Sequence, residues 1–158
     1  MTTANAPLTA ILFSDEVATA ADTLDYFDFG KIRIVRIWAV SEEAQAAHAT
    51  ILREVKVGTA ADVDRYAHIT NDSDLSDTAA VTTDPDGVLS VGAWAAATVR
   101  SVDFRTKTVG NAPDAAAPGT PGGSFPEHSG VLVCEVIHAG TTPTASRVTV
   151  GMDYYVSD

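Results

Sequence analysis

Apolar residues in this chain recur at every second position over short runs, and Gly, Pro, Asp, Asn and Thr cluster between the runs. A period of two puts alternate side chains on opposite sides of an extended backbone, so the chain is constrained to strands with one buried face. The run KIRIVRIWAV, Lys31 to Val40, sets Ile32 and Ile34 against Lys31 and Arg33, then breaks strict alternation at Val35 and Ile37. A long strand with a bulge produces that break. Thr50 to Gly58 gathers Ile51, Arg53, Val55 and Val57 on one face, the mark of a half-buried strand. Thr98 to Val109 gathers Arg100, Val102, Phe104 and Thr106, and its charges favour an edge or a solvent-facing side.

Val131 to His138 and Arg147 to Val156 are the clearest β-rich runs, and the connector Ala139 to Ser146 holds Gly140 and Pro143. That turn chemistry predicts an antiparallel pair. In the last run Val148, Val150, Met152 and Tyr154 form the stripe expected to face the core, opposite Thr149, Gly151, Asp153 and Tyr155. Weaker strands are expected at Leu8 to Phe13, Leu24 to Phe29, Thr78 to Thr83 and Val88 to Trp94. The total of about eight predicts an all-β, antiparallel β-sandwich with long loops. At 158 residues the chain fits one domain, residues 1–158.

Helix has little room. Glu42 to Ala49 has good helix formers over about two turns, and reads either as a short helix or as an extended connection. Asp62 to Ala67, with an N-cap Asp, suits a single helical turn. Gly110 to Gly130 holds five Gly and four Pro in 21 residues and reads as a long surface loop. Residues 1–7 read as a flexible arm, and Asn71 to Gly87 as an acidic loop with the turn tetrad Asp84-Pro-Asp-Gly87.

Charge narrows the partners. Twenty-one acidic residues against ten basic give a net charge of −11, which repels phosphate backbones and argues against nucleic-acid binding. Six of the ten cations lie in two strand-like runs: Lys31, Arg33, Arg36, Arg100, Arg105 and Lys107. They read as ordinary polar outward faces, or as one surface suited to an acidic neighbour. The N-terminus has no basic and apolar signal pattern, and no apolar run approaches the roughly 20 residues of a membrane span. A soluble product made in a reducing cytoplasm is expected, with the lone Cys134 as a small buried hydrophobe.

Catalytic patterns are weak. Glu127 beside His128, or Asp22 near Asp25, is sequence adjacency without catalytic geometry. Gly-x-Ser-x-Gly, a Walker loop and Gly-x-Gly-x-x-Gly are not found. The four histidines lack metal-ligand spacing, and the aspartates from Asp72 to Asp77 depart from the calcium-loop pattern, so a solvated acidic loop is the reading there. The expectation is no enzyme, no cofactor and no metal. Trp38 and Trp94 sit in apolar runs as core anchors, or, if exposed, form a flat platform for sugar rings.

Three segments taken together carry a resemblance: Gly30 to Val40, Thr50 to Tyr66, and Gly130 to Thr142 leading to Val148 to Tyr155. In this order they resemble the small β-sandwich virion proteins of tailed bacteriophages, in particular the jelly-roll cement or decoration proteins. The resemblance implies a jelly roll that docks on the outer capsid surface against the major capsid protein, self-associates as trimers and stabilises the head by bridging capsomers. It implies a virion component assembled in the host cytoplasm, without an active site. The interface residues expected on this basis are Thr2, Thr3, Asn5 and Pro7 in the arm and Pro118, Pro121 and Phe125 in the Gly/Pro-rich loop. The alternative is a carbohydrate-binding β-sandwich, an adhesin or host-surface module, using Trp38 and Trp94.

Overall fold

The computed structural model describes residues 6–17, 21–72, 89–90, 92–105, 108–109, 112–113, 125–140 and 146–157. Among them ten strands follow in order: β1 (Leu8–Val17), β2 (Ala21–Ser41), β3 (Leu52–Thr59), β4 (Asp62–Thr70), β5 (Leu89–Ser90), β6 (Val99–Asp103), β7 (Thr108–Val109), β8 (Ala112–Pro113), β9 (Glu127–Ala139) and β10 (Ser146–Val156). Among the described residues there is no helix. The protein is all-β, and every pairing between these strands is antiparallel except that of β4 with the two-residue β5.

The 21 residues of β2 organise the whole structure. Its first half pairs with β9, from Ala21 opposite His138 to Asp28 opposite Val131. Its second half lies between β10, from Ile32 opposite Val156 to Ser41 opposite Val148, and β6. A straight strand of this length would span roughly 70 Å. Yet β9 ends beside Ala21 and β10 begins beyond Ser41, and the short connection between them reaches at most roughly 25 Å. Both ends of β2 therefore lie at the same end of the molecule. The strand folds over, and one continuous sheet becomes two facing layers: β1-β10-β2-β6 on one side, β2-β9-β3-β4 on the other.

Two irregularities make the fold in β2. Gly30 has a φ of 69° and its N–H donates to the Asp28 carboxylate at 3.0 Å, where the β2–β9 register slips between Asp28 and Lys31. Five residues on, Val35 is an extra residue between the Ile34–Tyr154 and Arg36–Asp153 pairs. The bulge changes which parity faces inward: Ile32 and Ile34 are buried before it, Val35 at it, and Ile37 and Ala39 after it. This is the bulge that the broken alternation of KIRIVRIWAV predicts.

Between the layers lies one hydrophobic cluster. Ile37, Ala39, Val148, Val150, Met152 and Val102 come from one layer, and Val55, Val57, Ala67, Ile69, Leu132, Cys134 and Val136 from the other. Each fully buried aliphatic side chain contributes about 1.5–3 kcal/mol of transfer free energy. The stripe Val148, Val150 and Met152 is fully buried as expected, and Tyr154 is half-buried against Phe29 at 5.3 Å between ring centroids.

Several expectations are corrected. The runs of β9 and β10 do not pair with each other; each lies along a different edge of β2, in a different layer. Asp62 to Ala67 is part of β4, since pairing to β3 and burial of Tyr66 and Ala67 override the local capping signal. Glu42 to Ala49 takes the extended alternative, held by reciprocal Gln45–Trp94 backbone bonds of 2.7 and 2.6 Å. The run from Thr98 stops as a strand at Asp103 and turns at Phe104 and Arg105. Glu127 to Gly130, assigned to the long loop, belongs to β9. The candidate strand Thr78 to Thr83 and most of the acidic loop lie outside the described residues.

Arg53 shows how a strand pattern can bury a charge. It takes the core-facing position its alternation assigns, fully buried, with Nη2 3.3 Å from His138 Nδ1. Burial pulls its guanidinium below the usual arginine range, and the charge of Glu43 works the other way. Beside it Asn71 fastens the 42–51 connection. Its Oδ1 accepts from Arg53 N at 2.7 Å, and its Nδ2 donates to the Ala46 and Ile51 carbonyls at 2.9 and 3.0 Å.

Candidate functional site: the sheet face around Trp38

The outward face of the β1-β10-β2-β6 layer is read from the register. Thr9, Asp153, Arg36 and Asp103 form one row across the four strands; Ile11, Gly151, Trp38 and Ser101 form the next. Thr149, Val40 and Val99 continue the face beyond them. The face is flat in the middle because position 151 is Gly: a Cβ there would collide with the indole of Trp38, so the ring lies down on the β10 backbone.

The first row is a fixed charge network. Arg36 Nε donates to Asp153 Oδ2 at 2.9 Å, and Thr9 Oγ1 donates to Asp153 Oδ1 at 2.8 Å. At the far end Arg105 donates to both oxygens of Asp103, from Nε at 2.9 Å and from Nη2 at 2.6 Å. Burial raises the Asp103 carboxyl, but the hydrogen bonds and charge of Arg105, with Arg36 behind it, hold it below the usual carboxylate range. Along β2 in the other direction, Lys31 and Arg33 share Glu127 at 3.3 and 3.7 Å. There Arg33, Phe125, Tyr155, Val156 and Ser157 line an open groove of about 430 Å³, with the Phe125 and Tyr155 rings 6.1 Å apart.

This arrangement alters the sequence reading of the cations. Lys31, Arg33, Arg36 and Arg105 each have a carboxylate neighbour, and Arg100 turns inward, its Nη1 donating to the Thr70 and Gly92 carbonyls at 2.8 Å each. Lys107 lies outside the described residues. The face is charge-balanced, not basic. Interspersed with its ion pairs are exposed apolar side chains, Ile11 and Val99, each 52% accessible.

The two tryptophans part company. Trp38 is half-buried on this outer face, where a platform residue belongs. Trp94 is only 1% accessible, its Nε1 donating to the Thr98 carbonyl at 3.1 Å, so it is a core anchor and no sugar can stack on it. Of the expected interface residues, Phe125 is half-buried at the groove and Pro7 half-buried just ahead of β1. Thr2, Thr3, Asn5, Pro118 and Pro121 lie outside the described residues. Sequence reasoning singled out Arg36 on this face as a strand-borne cation but gave no functional part to Ile11, Gly151 or Asp153. For Gly151 and Asp153 the signal was the outward parity of β10 and a lone Gly within it.

Elsewhere, polar side chains are paired off in separate places. Tyr66 Oη lies 3.0 Å from His128 Nδ1 in a T-shaped contact, and His68 Nε2 lies 2.7 Å from Glu54 Oε1. That bond to His68 holds the Glu54 carboxyl below its usual range despite burial. Among the described residues no group of three or more His, Cys, Asp or Glu side chains is placed to hold a metal ion. Comparison with protein families, with curated proteins and with solved structures finds no match to this chain.

Proposed function

We propose that this chain is a structural virion protein: a jelly-roll capsid decoration protein that docks on the outer capsid surface against the major capsid protein and bridges capsomers. The observation that carries this reading is the flat, charge-balanced face around Trp38. Its ion pairs are formed within the chain, so docking meets a fixed pattern and orders few new side chains. Ile11, Val99 and the Trp38 ring supply the apolar contact.

The size of the face favours a lattice. From Arg33 to Val40 it runs roughly 25 Å, and four strands give it a width of roughly 20 Å, hence roughly 500 Å². A stable one-to-one complex covers about 800 Å² per partner. Repetition over a shell, and self-association into trimers, would raise the avidity of such a small contact. In this reading the chain acts without an active site or cofactor, at the capsid surface, after assembly in the host cytoplasm.

The test is co-sedimentation with capsid shells that lack the chain, together with the melting temperature of the shell. Binding that raises the melting temperature, and is lost in Trp38→Ala and Ile11→Lys, supports the reading; shells that neither bind the chain nor gain stability overturn it. A second reading, carbohydrate binding, draws on the outward position of Trp38 beside the polar Arg36–Asp153 pair. Quenching of Trp38 fluorescence by glycans, abolished in Trp38→Ala, would favour it over docking.

A further inference from the structure

The first half of β2 leaves one edge open. From Ala21 to Asp28 it is paired on one side to β9, and on the other side β10 begins only at Ile32, opposite Val156. Among the described residues nothing hydrogen-bonds to that second edge before Lys31, whose carbonyl accepts from Ser157 N at 2.9 Å. Along Ala21 to Asp28, roughly 26 Å of extended backbone, the groups on this edge thus have no backbone partner among the described residues, in line with the end of β10.

The side chains around this edge have a definite chemistry. On the solvent side Leu24 is 40% accessible, Tyr26 60% and Val131 47%, and the β2–β9 register groups them. Asp28 shares that face, Asp25 lies on the other with Phe27 and Phe29, and residues 21–30 hold no Lys or Arg. The stretch therefore joins a strand template, an apolar patch and unneutralised negative charge. A second copy is a poor occupant, because pairing two such edges would bring their aspartates together in a chain of net charge −11.

We propose that the open edge of β2 receives an extended, cationic polypeptide segment from a partner protein by strand addition. Main-chain hydrogen bonds to this stretch supply the affinity; on the solvent face apolar side chains of the segment cover Leu24 and Tyr26 and a lysine or arginine meets Asp28, while on the other face a second cation meets Asp25. This surface belongs to the layer opposite Trp38, so the proposal stands apart from docking through that face.

The experiment uses the full chain, labelled with ¹⁵N, and a ten-residue valine- and threonine-rich peptide with two lysines three residues apart, the spacing of Asp25 and Asp28. Expected are chemical-shift changes and slowed amide exchange confined to residues 22–30, weakened by added salt. Three controls sharpen it. A peptide with glutamate for lysine, and one with proline at its centre, should each bind at least tenfold more weakly. So should the Asp25→Asn/Asp28→Asn variant, in which the amide at position 28 still offers an oxygen to the Gly30 N–H; its unchanged melting temperature would show that the fold is kept. Absence of binding, shifts centred on β1 or on the Trp38 face, or equal binding by the proline peptide would each overturn the proposal.

Discussion

The indole of Trp38 occupies the space that a side chain at Gly151 would need, across the β2–β10 ladder. The two residues are matched, and the flatness of the outward face depends on both. In Gly151→Ala the added methyl meets the ring atoms head-on, and the indole must swing away from the backbone. A loss of about 1–3 kcal/mol is expected, as for other overpacked sites. The Trp38 emission should shift to the red as the ring moves into water, while Trp94, buried in the core, keeps its emission. Denaturant titration and fluorescence of single-tryptophan forms check this; an unshifted spectrum would show that the ring does not rest on position 151.

The fold in β2 predicts a purely conformational cost at its corner. A Cβ at Gly30 would meet nothing within 4 Å, so Gly30→Ala should lose only the price of a left-handed backbone, about 1–2 kcal/mol. Asn, which tolerates that region better, should lose less. At Gly58 the reverse holds: the added Cβ would strike the Asp62, Val63 and Arg65 backbone, and Gly58→Ala should cost more than Gly30→Ala. Urea unfolding of the three variants gives the order directly.

His128 gives the fold a pH response. Gly130 O accepts from Nε2 at 3.3 Å, so the neutral ring carries its proton there and Nδ1 accepts from the Tyr66 hydroxyl. Burial lowers the His128 pKa from 6.5, with the Gly130 carbonyl opposing in part. The unfolded chain then binds the extra proton more readily than the folded one. Stability from this site is complete above pH 6.5 and falls as the pH drops from 6.5 toward the lowered folded value. His128→Gln should flatten that limb of the stability profile, and Tyr66→Phe should cost about 1 kcal/mol by leaving Nδ1 without its donor. Denaturation midpoints between pH 5 and 8 test both.

Cys134 should be silent in the native protein. It is 1% accessible, and burial, then the charges of Asp25 and Glu135, push its thiol up to about 12. Thiolate is the reacting form, so aromatic disulfide reagents at pH 8 should modify it only when the sandwich opens. Its rate should rise with urea in step with global unfolding; prompt modification in buffer would contradict the burial.

Much of the fold was legible where a single face is buried. Val55, Val57, Val148, Val150 and Met152 followed their alternation into the core, and even the awkward Arg53 did so. What stayed hidden was non-local. The run from Ala139 to Ser146 carries ordinary turn residues, and nothing local says that the strands on either side of it pair with opposite edges of β2. Leu24 to Phe29 and Lys31 to Val40 looked like two strands because Gly30 interrupts them, although the ladder with β9 resumes beyond a one-residue slip at that point. Asp62 to Ala67 offered a capping residue that lost to pairing with β3. The face around Trp38 was half visible: the stripe of β10 was read correctly, but only the register of four strands brings Thr9, Asp153, Arg36 and Asp103 into one row.

Because β2 contributes to both layers, neither layer is an independent module. A single cut in its backbone near Gly30 would free one half from each, and tension applied across the molecule would be borne by one continuous covalent thread. Partial opening of one sheet alone is thus disfavoured, and under load the molecule should give way as one unit.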